Sequence, residues 1–553
     1  MTQPKTSAAP SVRRIIVYSI LFVLVCLTAT GLADLIGRAV EVVSDDLLVG
    51  SGTTGLAGSL TFTVIGGPLA LLLGWFAWRR LADPAERNSL AYALYLVGMT
   101  TVALVVAGTA LFTAVAGAVT GERVSTAAAT GLVWAVVWAG HRLVLRRSSR
   151  QPSRLPGSAA VLGELFGLVL GVGGAITALS SLFDAALAGT PVVSVGAPWW
   201  HGAVQATVWA LGGALIWWWH WRHDGGSRAK TSLAAVALVG IGILGGCLLT
   251  LAGTGTVLFV LLRLAVDRSD ALPDVLDPLG TAVAAALVGG VVWEYHRAVV
   301  AARSAAVREA STLVTSGIAL IAAATGLGVI VNALLAALTT PLVGSSPHTL
   351  LLGGISALLV GGPVWWFSWR PGAGGGGQRA SSGRGVYLVV VFGISAVVAL
   401  VTILVIGFRL FDILLAADSG LVDRIRAPLG LLVATGLVSA YHFALWRGDR
   451  AAAAAGPAPV AAVAGTPPVI GELVLIMGPD AEPLIRHLRE LTGARVTLWQ
   501  RAGAAALLPD PTEVVRALEG VQAERVVLVV AADGGLSVIP LAVAGHRAEP
   551  EPG

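Results

Sequence analysis

Long apolar runs separated by short polar interruptions fill the chain from residue 15 to residue 446. Twelve runs are long enough to cross a bilayer, which takes about 20 apolar residues. They lie near 15–42, 58–78, 89–117, 127–145, 158–187, 202–221, 231–265, 278–296, 309–338, 349–369, 385–416 and 428–446. The odd-numbered runs are the longer. At about 1.5 Å per residue, thirty helical residues reach roughly 45 Å, so these helices are expected to tilt or to project beyond the hydrocarbon. The pattern predicts an all-α polytopic membrane protein.

Five of the even runs close on a tryptophan followed four residues later by an arginine: Trp75/Arg79, Trp138/Arg142, Trp218/Arg222, Trp293/Arg297 and Trp366/Arg370. A glycine-rich step precedes each, as at Gly66-Gly67, Gly131, Gly212-Gly213, Gly289-Gly290 and Gly361-Gly362. The sixth even run has drifted, with Ser439, Ala440, Tyr441 and His442 paralleling Trp293 to His296 and Phe443 in place of arginine. A signature returning at such intervals marks tandem units, here six helix pairs. Residues i and i+4 share a helix face, so each guanidinium can lie over its indole. Both residue types favour the membrane interface. The ten residues are therefore expected to form an anchoring belt that can bind anionic lipid.

Orientation follows from the basic residues. The connections on the N-terminal side carry most of them, including Arg79, Arg80 and Arg87, Arg142 to Arg154, Arg222, Arg228 and Lys230, and Arg297 to Arg308. The opposite connections 41–55, 188–198 and 339–347 hold neither Lys nor Arg; Arg123, Arg268, Arg424 and Arg426 are the exceptions. The positive-inside rule places the N-terminus, the Trp/Arg pairs and the C-terminus in the cytoplasm.

Composition agrees with a lipid solvent: 56% hydrophobic, 12% charged and a mean hydropathy of +0.82 over 553 residues. No single water-soluble core could bury so much apolar material. The net charge of +5 is carried almost wholly by arginine spread among short loops, which argues against nucleic acid as a partner. Cys26 and Cys247, each in an apolar run, suit neither a disulfide framework nor a zinc site. The run from Ile15 to Ile36 exceeds a signal core, so it is read as a retained first helix.

Charged groups cluster where the odd runs end, at Asp34/Arg38, Asp184, Arg263/Asp267 and Arg409/Asp412, with Asn332 at a similar place. Opposite charges at i,i+3 or i,i+4 pair locally, and their depth predicts an outer collar near the far interface. The middle of nearly every run lacks ionisable groups, whereas coupled transporters need midplane carboxylates or broken helices. Gly66-Gly67-Pro68 and Gly361-Gly362-Pro363 are expected to be kinks. Small residues spaced by four, as in Gly167/Gly171 and Gly242/Gly246, predict close helix contact. Glu164, Glu294, His141, His296 and His442 fall near the N-terminal side, but no metal, phosphate-loop or nucleophile-elbow motif surrounds them. No catalytic, cofactor or metal site is expected.

After Arg450 an Ala/Gly/Pro-rich linker over 448–468 leads to a small soluble unit expected over 469–545, with a disordered tail over 546–553. Strands are predicted at 473–477, 496–500, 525–530 and 536–542. Helices are predicted after caps at Asp480 and Asp510, and a hairpin turn at Asp533-Gly534. This β-α-β-α-β-β order suggests an α/β sandwich serving as a protein-interaction module.

The openings Arg13/Tyr18, Arg87/Tyr92 and Arg384/Tyr387, together with the paired runs, resemble a bacterial family of multi-pass membrane proteins built on a domain of unknown function. The resemblance spans roughly residues 10 to 448 and implies a bacterial cytoplasmic membrane location with no established activity. The functional expectation is a non-enzymatic scaffold, sensor or assembly partner whose partner is the bilayer and its anionic lipids. A transporter or channel for a small solute is the alternative. A membrane enzyme comes third, requiring Glu164, Glu294 and the histidines to converge in one pocket.

Overall fold

The computed structural model describes residues 8–43, 53–187, 198, 200–267, 270–338, 346–369, 382–416, 420–454, 470–478, 481–501, 508–519, 521, 523–531 and 534–541. Arg370, Asp480, Asp533, most of the expected linker and the tail 546–553 lie outside them. The chain divides into two compact units, Met1–Arg447 and Gly448–Gly553.

The first unit is built of long helices: α1 (Ala8–Val43), α2 (Thr53–Arg80), α3 (Leu90–Thr120), α4 (Ser125–Arg146), α5 (Ser158–Leu187) and α6 (Trp200–Trp218). They continue with α7 (Ser232–Val266), α8 (Leu279–Ala301), α9 (Ala305–Ala336), α10 (Pro347–Trp369), α11 (Ser382–Ala416) and α12 (Leu421–Ala454). Eleven described helices are long and apolar enough to span a membrane. The exception, α6, carries Trp200, His201, Gln205 and Trp209 within 19 residues, which lowers its hydropathy without breaking its helix. Local chemistry sets several ends. Ser89 Oγ accepts from Tyr92 N to start α3, and Gly121 at φ +77° ends it in the left-handed region, where a side chain would be strained.

Of the two expected kinks, only the first departs from α geometry. A π turn at Thr61–Gly66 precedes Pro68 and accommodates the ring that would otherwise crowd the preceding turn. Pro363 sits inside the unbroken helix α10. Two further π turns, Trp219–His223 at the end of α6 and Leu238–Ile243 in α7, were not legible in the sequence.

Glycines bring helices together at the expected positions. A Cβ at Gly167 would lie 2.3 Å from Trp217 N, and one at Gly213 2.2 Å from Gly171 N, so α5 and α6 touch backbone to backbone. Gly242 and Gly246 likewise meet His296 and Trp293 of α8.

The inter-helix contacts recur in sets of four helices rather than two. On the arginine-poor face, Glu41 of α1 accepts from Ser125 and Thr126 of α4, both at 3.0 Å. Ser180 of α5 bonds Thr281 of α8 at 2.7 Å, and Asn332 of α9 accepts from Arg426 of α12 at 3.0 Å. Each group of four is thus closed by its first and fourth helices. Neighbouring groups are joined in a second way. Gln205 of α6 donates to Thr120 and Glu122 past α3, and Thr349 of α10 donates to Asp267 past α7.

The second unit carries β1 (Glu472–Met477), α13 (Glu482–Thr492), β2 (Arg495–Gln500), α14 (Pro511–Leu518), β3 (Arg525–Val530) and β4 (Leu536–Leu541). The sheet order is β2-β1-β3-β4; β1 runs parallel to β2 and β3, and β4 is antiparallel to β3. Alternate residues Leu473, Leu475 and Met477 of β1, with Val526, Leu528 and Val530 of β3, pack on Leu484, Leu488, Val514 and Leu518 of the helices. Pro540 falls on the edge strand β4, where a missing N–H is tolerated.

Asp510 caps α14 through Thr512 N at 2.8 Å and Thr512 Oγ1 at 2.5 Å. The Thr512 hydroxyl, then its amide, hold the carboxyl below the usual aspartate range. A depressed folded value means the cap's stabilisation is complete above the ordinary aspartate value and fades as pH falls through the depressed one. Protection factors of the α14 amides in the whole protein, corrected for intrinsic exchange at each pH, are expected to fall in that acid window, and Asp510→Ala to remove that fall.

Candidate functional site: a basic cavity at the helix ends

On the arginine-rich face, α6 ends in the π turn Trp219–His223, followed by a 3-10 turn at Gly226–Arg228 and the start of α7. These segments meet the end of α8 and the start of α9 around a cavity of about 890 Å³. Arg222, Arg228, Lys230 and Arg303 line it together with Trp221, Leu238, Tyr295, Val299 and Val307, and no Asp or Glu does. Arg303 is fixed by donating to Ala229 O at 2.8 Å and Ser227 O at 2.7 Å. Trp221 Nε1 donates to Tyr295 OH at 2.6 Å and stiffens the aromatic wall. Among the described residues, Arg222, Arg228 and Lys230 make no hydrogen bond or ion pair. The result is three free cations and one fixed cation over an apolar floor.

One wall of this region is pinned by a neighbouring cluster. Arg142 binds Asp224 through both guanidinium nitrogens, each at 2.5 Å. Its guanidinium lies 5.0 Å from the Trp138 ring centroid and 5.4 Å from that of Trp219. Arg146 adds a second contact to Asp224 at 3.2 Å, and His220 Nε2 stands 3.7 Å away. A smaller cavity of about 160 Å³ adjoins Arg142, His220 and Asp224. Glu164 of α5 is buried against Gly226, and its Oε2 has no hydrogen-bond partner.

The Trp/Arg pairs take different forms. Arg79 lies 4.4 Å over Trp75, and Arg142 covers Trp138 as above. Trp218 and Arg222 do not stack, a correction that follows from the π turn between them. The extra residue rotates the face, and Trp218 meets His223 edge-on at 5.8 Å instead. Trp293 and Arg297 do not stack either; Arg297 pairs with Glu294 at 2.8 Å, one turn away in water-exposed positions. The pair of Trp366 with Arg370 falls outside the described residues.

At the arginine-poor face, Asp34 binds Arg38 at 2.7 Å and accepts from Ser59 at 2.5 Å. Asp184 accepts from Ser180 at 3.1 Å. Arg263 reaches forward to Asp270, and Asp267, extended beyond the helix end, accepts from Thr349 at 2.9 Å. The expected Arg409/Asp412 pair is corrected. Arg409 donates to the Arg424 carbonyl and Asp412 binds the Arg424 side chain at 3.2 Å, so both turn to the next helix.

The histidines do not converge with Glu164 and Glu294. His141, His220, His296 and His442 each donate from Nδ1 to the carbonyl four residues earlier. A carbonyl only accepts, so this contact fixes the proton on Nδ1. His220 is the copy the sequence hid, because the π turn sets it two residues before Arg222 instead of one. Asp224 had no sequence signal at all. Among the described residues, no three His, Cys, Asp or Glu side chains form a metal-binding group.

Two segments, residues 14–140 and 340–437, match the family model described as Domain of unknown function (DUF5671). The two matches lie toward opposite ends of the membrane unit. The first segment spans nearly all of α1 to α4, one complete four-helix group, and the second covers α10, α11 and much of α12. The expected kinship with an uncharacterised multi-pass family stands on these two matches. No curated protein and no solved structure matches the chain.

Proposed function

We propose that this protein is a non-enzymatic membrane scaffold that gathers anionic lipid at its arginine-rich face. The basic cavity carries the reading: four cations and no carboxylate over an apolar floor suit a phosphate-bearing headgroup with its glycerol and first methylenes below. In this reading the arginine-rich face, the N-terminus and the soluble unit lie in the cytoplasm of a bacterial cell. The six helix pairs arose by duplication, which accounts for the recurring contacts. The soluble unit supplies a docking module for a protein partner. A solute pathway is less favoured because the large cavity midway along α9 and α11 is lined almost entirely by apolar side chains.

The test is reconstitution in nanodiscs containing phosphatidylglycerol in phosphatidylcholine, with bound lipid counted by native mass spectrometry. Each basic residue near an anionic surface contributes about 1 kcal/mol. The triple variant Arg222→Gln, Arg228→Gln, Lys230→Gln is therefore expected to lose most of the preference for phosphatidylglycerol. Inorganic phosphate at millimolar concentration separates the sources: competition by phosphate alone points to a soluble anion, and its failure to compete to a lipid. Equal lipid selectivity in the variant and the parent would overturn the proposal.

A further inference from the structure

The four-helix groups solve the same packing problem in three ways, and the third leaves a slot. In the first group, Phe22, Tyr95, Met99 and Trp134 pack together between α1, α3 and α4, with Met99 and Trp134 fully buried. In the second group, α7 presses directly on α8 instead. A Cβ at Gly242, Gly246 or Gly253 would lie 2.5, 2.8 or 2.5 Å from α8 atoms.

The third group has neither device. Its correspondence with the first is fixed by shared contacts. Gly31 of α1 abuts Phe62 and Ser59 of α2 as Gly326 of α9 abuts Leu358 and Gly354 of α10. Thr100 and Ser395 each return a hydroxyl to the carbonyl four residues earlier, and His141 and His442 do the same with Nδ1. In this register Phe22, Tyr95, Met99 and Trp134 become Gly317, Val390, Ile394 and Thr435. A phenyl ring is deleted, a phenol becomes isopropyl, and an indole becomes a hydroxyethyl group. All four replacements line one cavity of about 720 Å³ between α9, α11 and α12. Glycine draws α12 onto α9, where a Cβ at Gly430 would lie 2.2 Å from the Gly328 carbonyl oxygen, but it does not bring in α11, since a Cβ at Gly393 or Gly407 would meet nothing within 4 Å.

The slot's shape and polarity select its occupant. It runs along α9 from Leu313 to Asn332, which at about 1.5 Å per residue is roughly 28 Å, so an acyl chain of one leaflet, which spans about half of the roughly 30 Å hydrocarbon thickness, fits lengthwise within it. Between its ends the walls are apolar apart from Thr325, Ser395 and Thr435, and the hydroxyls of the last two are returned to their own helix carbonyls. Tyr387 OH and Ser316 Oγ meet at 3.3 Å on one side, and Asn332 is bonded to Arg426 on the other. Its volume lies within the ordinary range for ligand sites. Water in such a place would lack the two to four polar partners it needs. We propose that the third group is a binding site for a hydrocarbon chain of a bilayer lipid, seated lengthwise between α9, α11 and α12.

The probe is a neutral phosphatidylcholine with a diazirine at mid-chain, incorporated into vesicles with the full-length protein. Because the lipid is uncharged, the outcome is independent of the basic cavity. The vesicles are dissolved, the protein is exchanged through detergent to remove bulk lipid, and only then is it photolysed and mapped by peptide mass spectrometry. Adducts are expected on Ile394 and Thr435, which line the slot, and none on Leu404, an equally exposed residue of α11 that does not line it. Val390→Tyr and Thr435→Trp restore the side chains of the first group and are expected to reduce the retained adducts by about tenfold, the effect of a 1.4 kcal/mol loss of affinity. Should a filling variant fail to fold, retention by the parent protein still decides. Adducts distributed equally over Leu404 and Thr435, undiminished labelling in both folded filling variants, or a cross-link to a second copy of the chain would each overturn the proposal.

Discussion

Asp224→Ala is expected to lower the thermal stability of the solubilised protein by about 3–5 kcal/mol, the usual cost of stranding one member of a buried ion pair. The two side chains are only 11% and 14% exposed, and the aspartate holds both nitrogens of Arg142. Without it, the Arg142 guanidinium stays wedged between the indoles of Trp138 and Trp219 with nothing to neutralise it. Removing both charges together should cost far less, since an apolar pair of similar volume often replaces a buried bridge without penalty. The double variant Arg142→Met, Asp224→Leu is the control. Thermal unfolding of Arg142→Met, Asp224→Leu and this double, read as a cycle, measures the coupling. A loss below about 0.5 kcal/mol for Asp224→Ala, the ordinary scatter of surface substitutions, would show that the bridge does not hold these helix ends together.

Gly213→Ala is expected to damage the protein by a different route. The added methyl group would sit 2.2 Å from the Gly171 amide nitrogen and 2.8 Å from the Gly167 carbonyl oxygen. Both obstacles are backbone, so no side chain can rotate away and α5 must part from α6. Overpacking of this kind costs about 1–3 kcal/mol, against an intrinsic helix gain of about 1 kcal/mol for Gly→Ala. Gly173→Ala on the facing helix α5 is the control, because its methyl group would meet nothing within 4 Å. Melting temperature in detergent should fall for the first and hold or rise for the second. A Gly213→Ala protein as stable as the Gly173→Ala one would mean that the α5/α6 approach is looser than these distances indicate.

The helices were legible because a bilayer imposes a crude rule, about 20 apolar residues per crossing, and the chain obeys it repeatedly. The glycine contacts at Gly167/Gly171 and Gly242/Gly246 were legible for a similar reason, since four-residue spacing places small residues on one face. The small α/β unit followed from alternation in β1 and β3 and from the Asp510 cap. What remained hidden depends on which helix ends meet. Arg142 finds Asp224 eighty-two positions away, Arg303 finds carbonyls seventy-four and seventy-six positions back, and Asp412 turns to Arg424 rather than Arg409. No local period encodes such partners. The basic cavity was half visible: Arg222 was singled out as part of a belt, but its grouping with Arg228, Lys230 and Arg303 needed the 3-10 turn and the end of α8.

A π turn holds one residue more than the α turn it replaces, so each of the three here is a place where the chain has a spare residue stored inside a helix. Deleting one residue from Trp219–His223 would let α6 continue as ordinary helix and swing everything after it by about 100°. Arg222 would then leave the cavity and return toward the face of Trp218, the arrangement that Arg79 and Arg142 keep with Trp75 and Trp138. At this spot a one-codon change moves a cation from one surrounding to another without unmaking the helix.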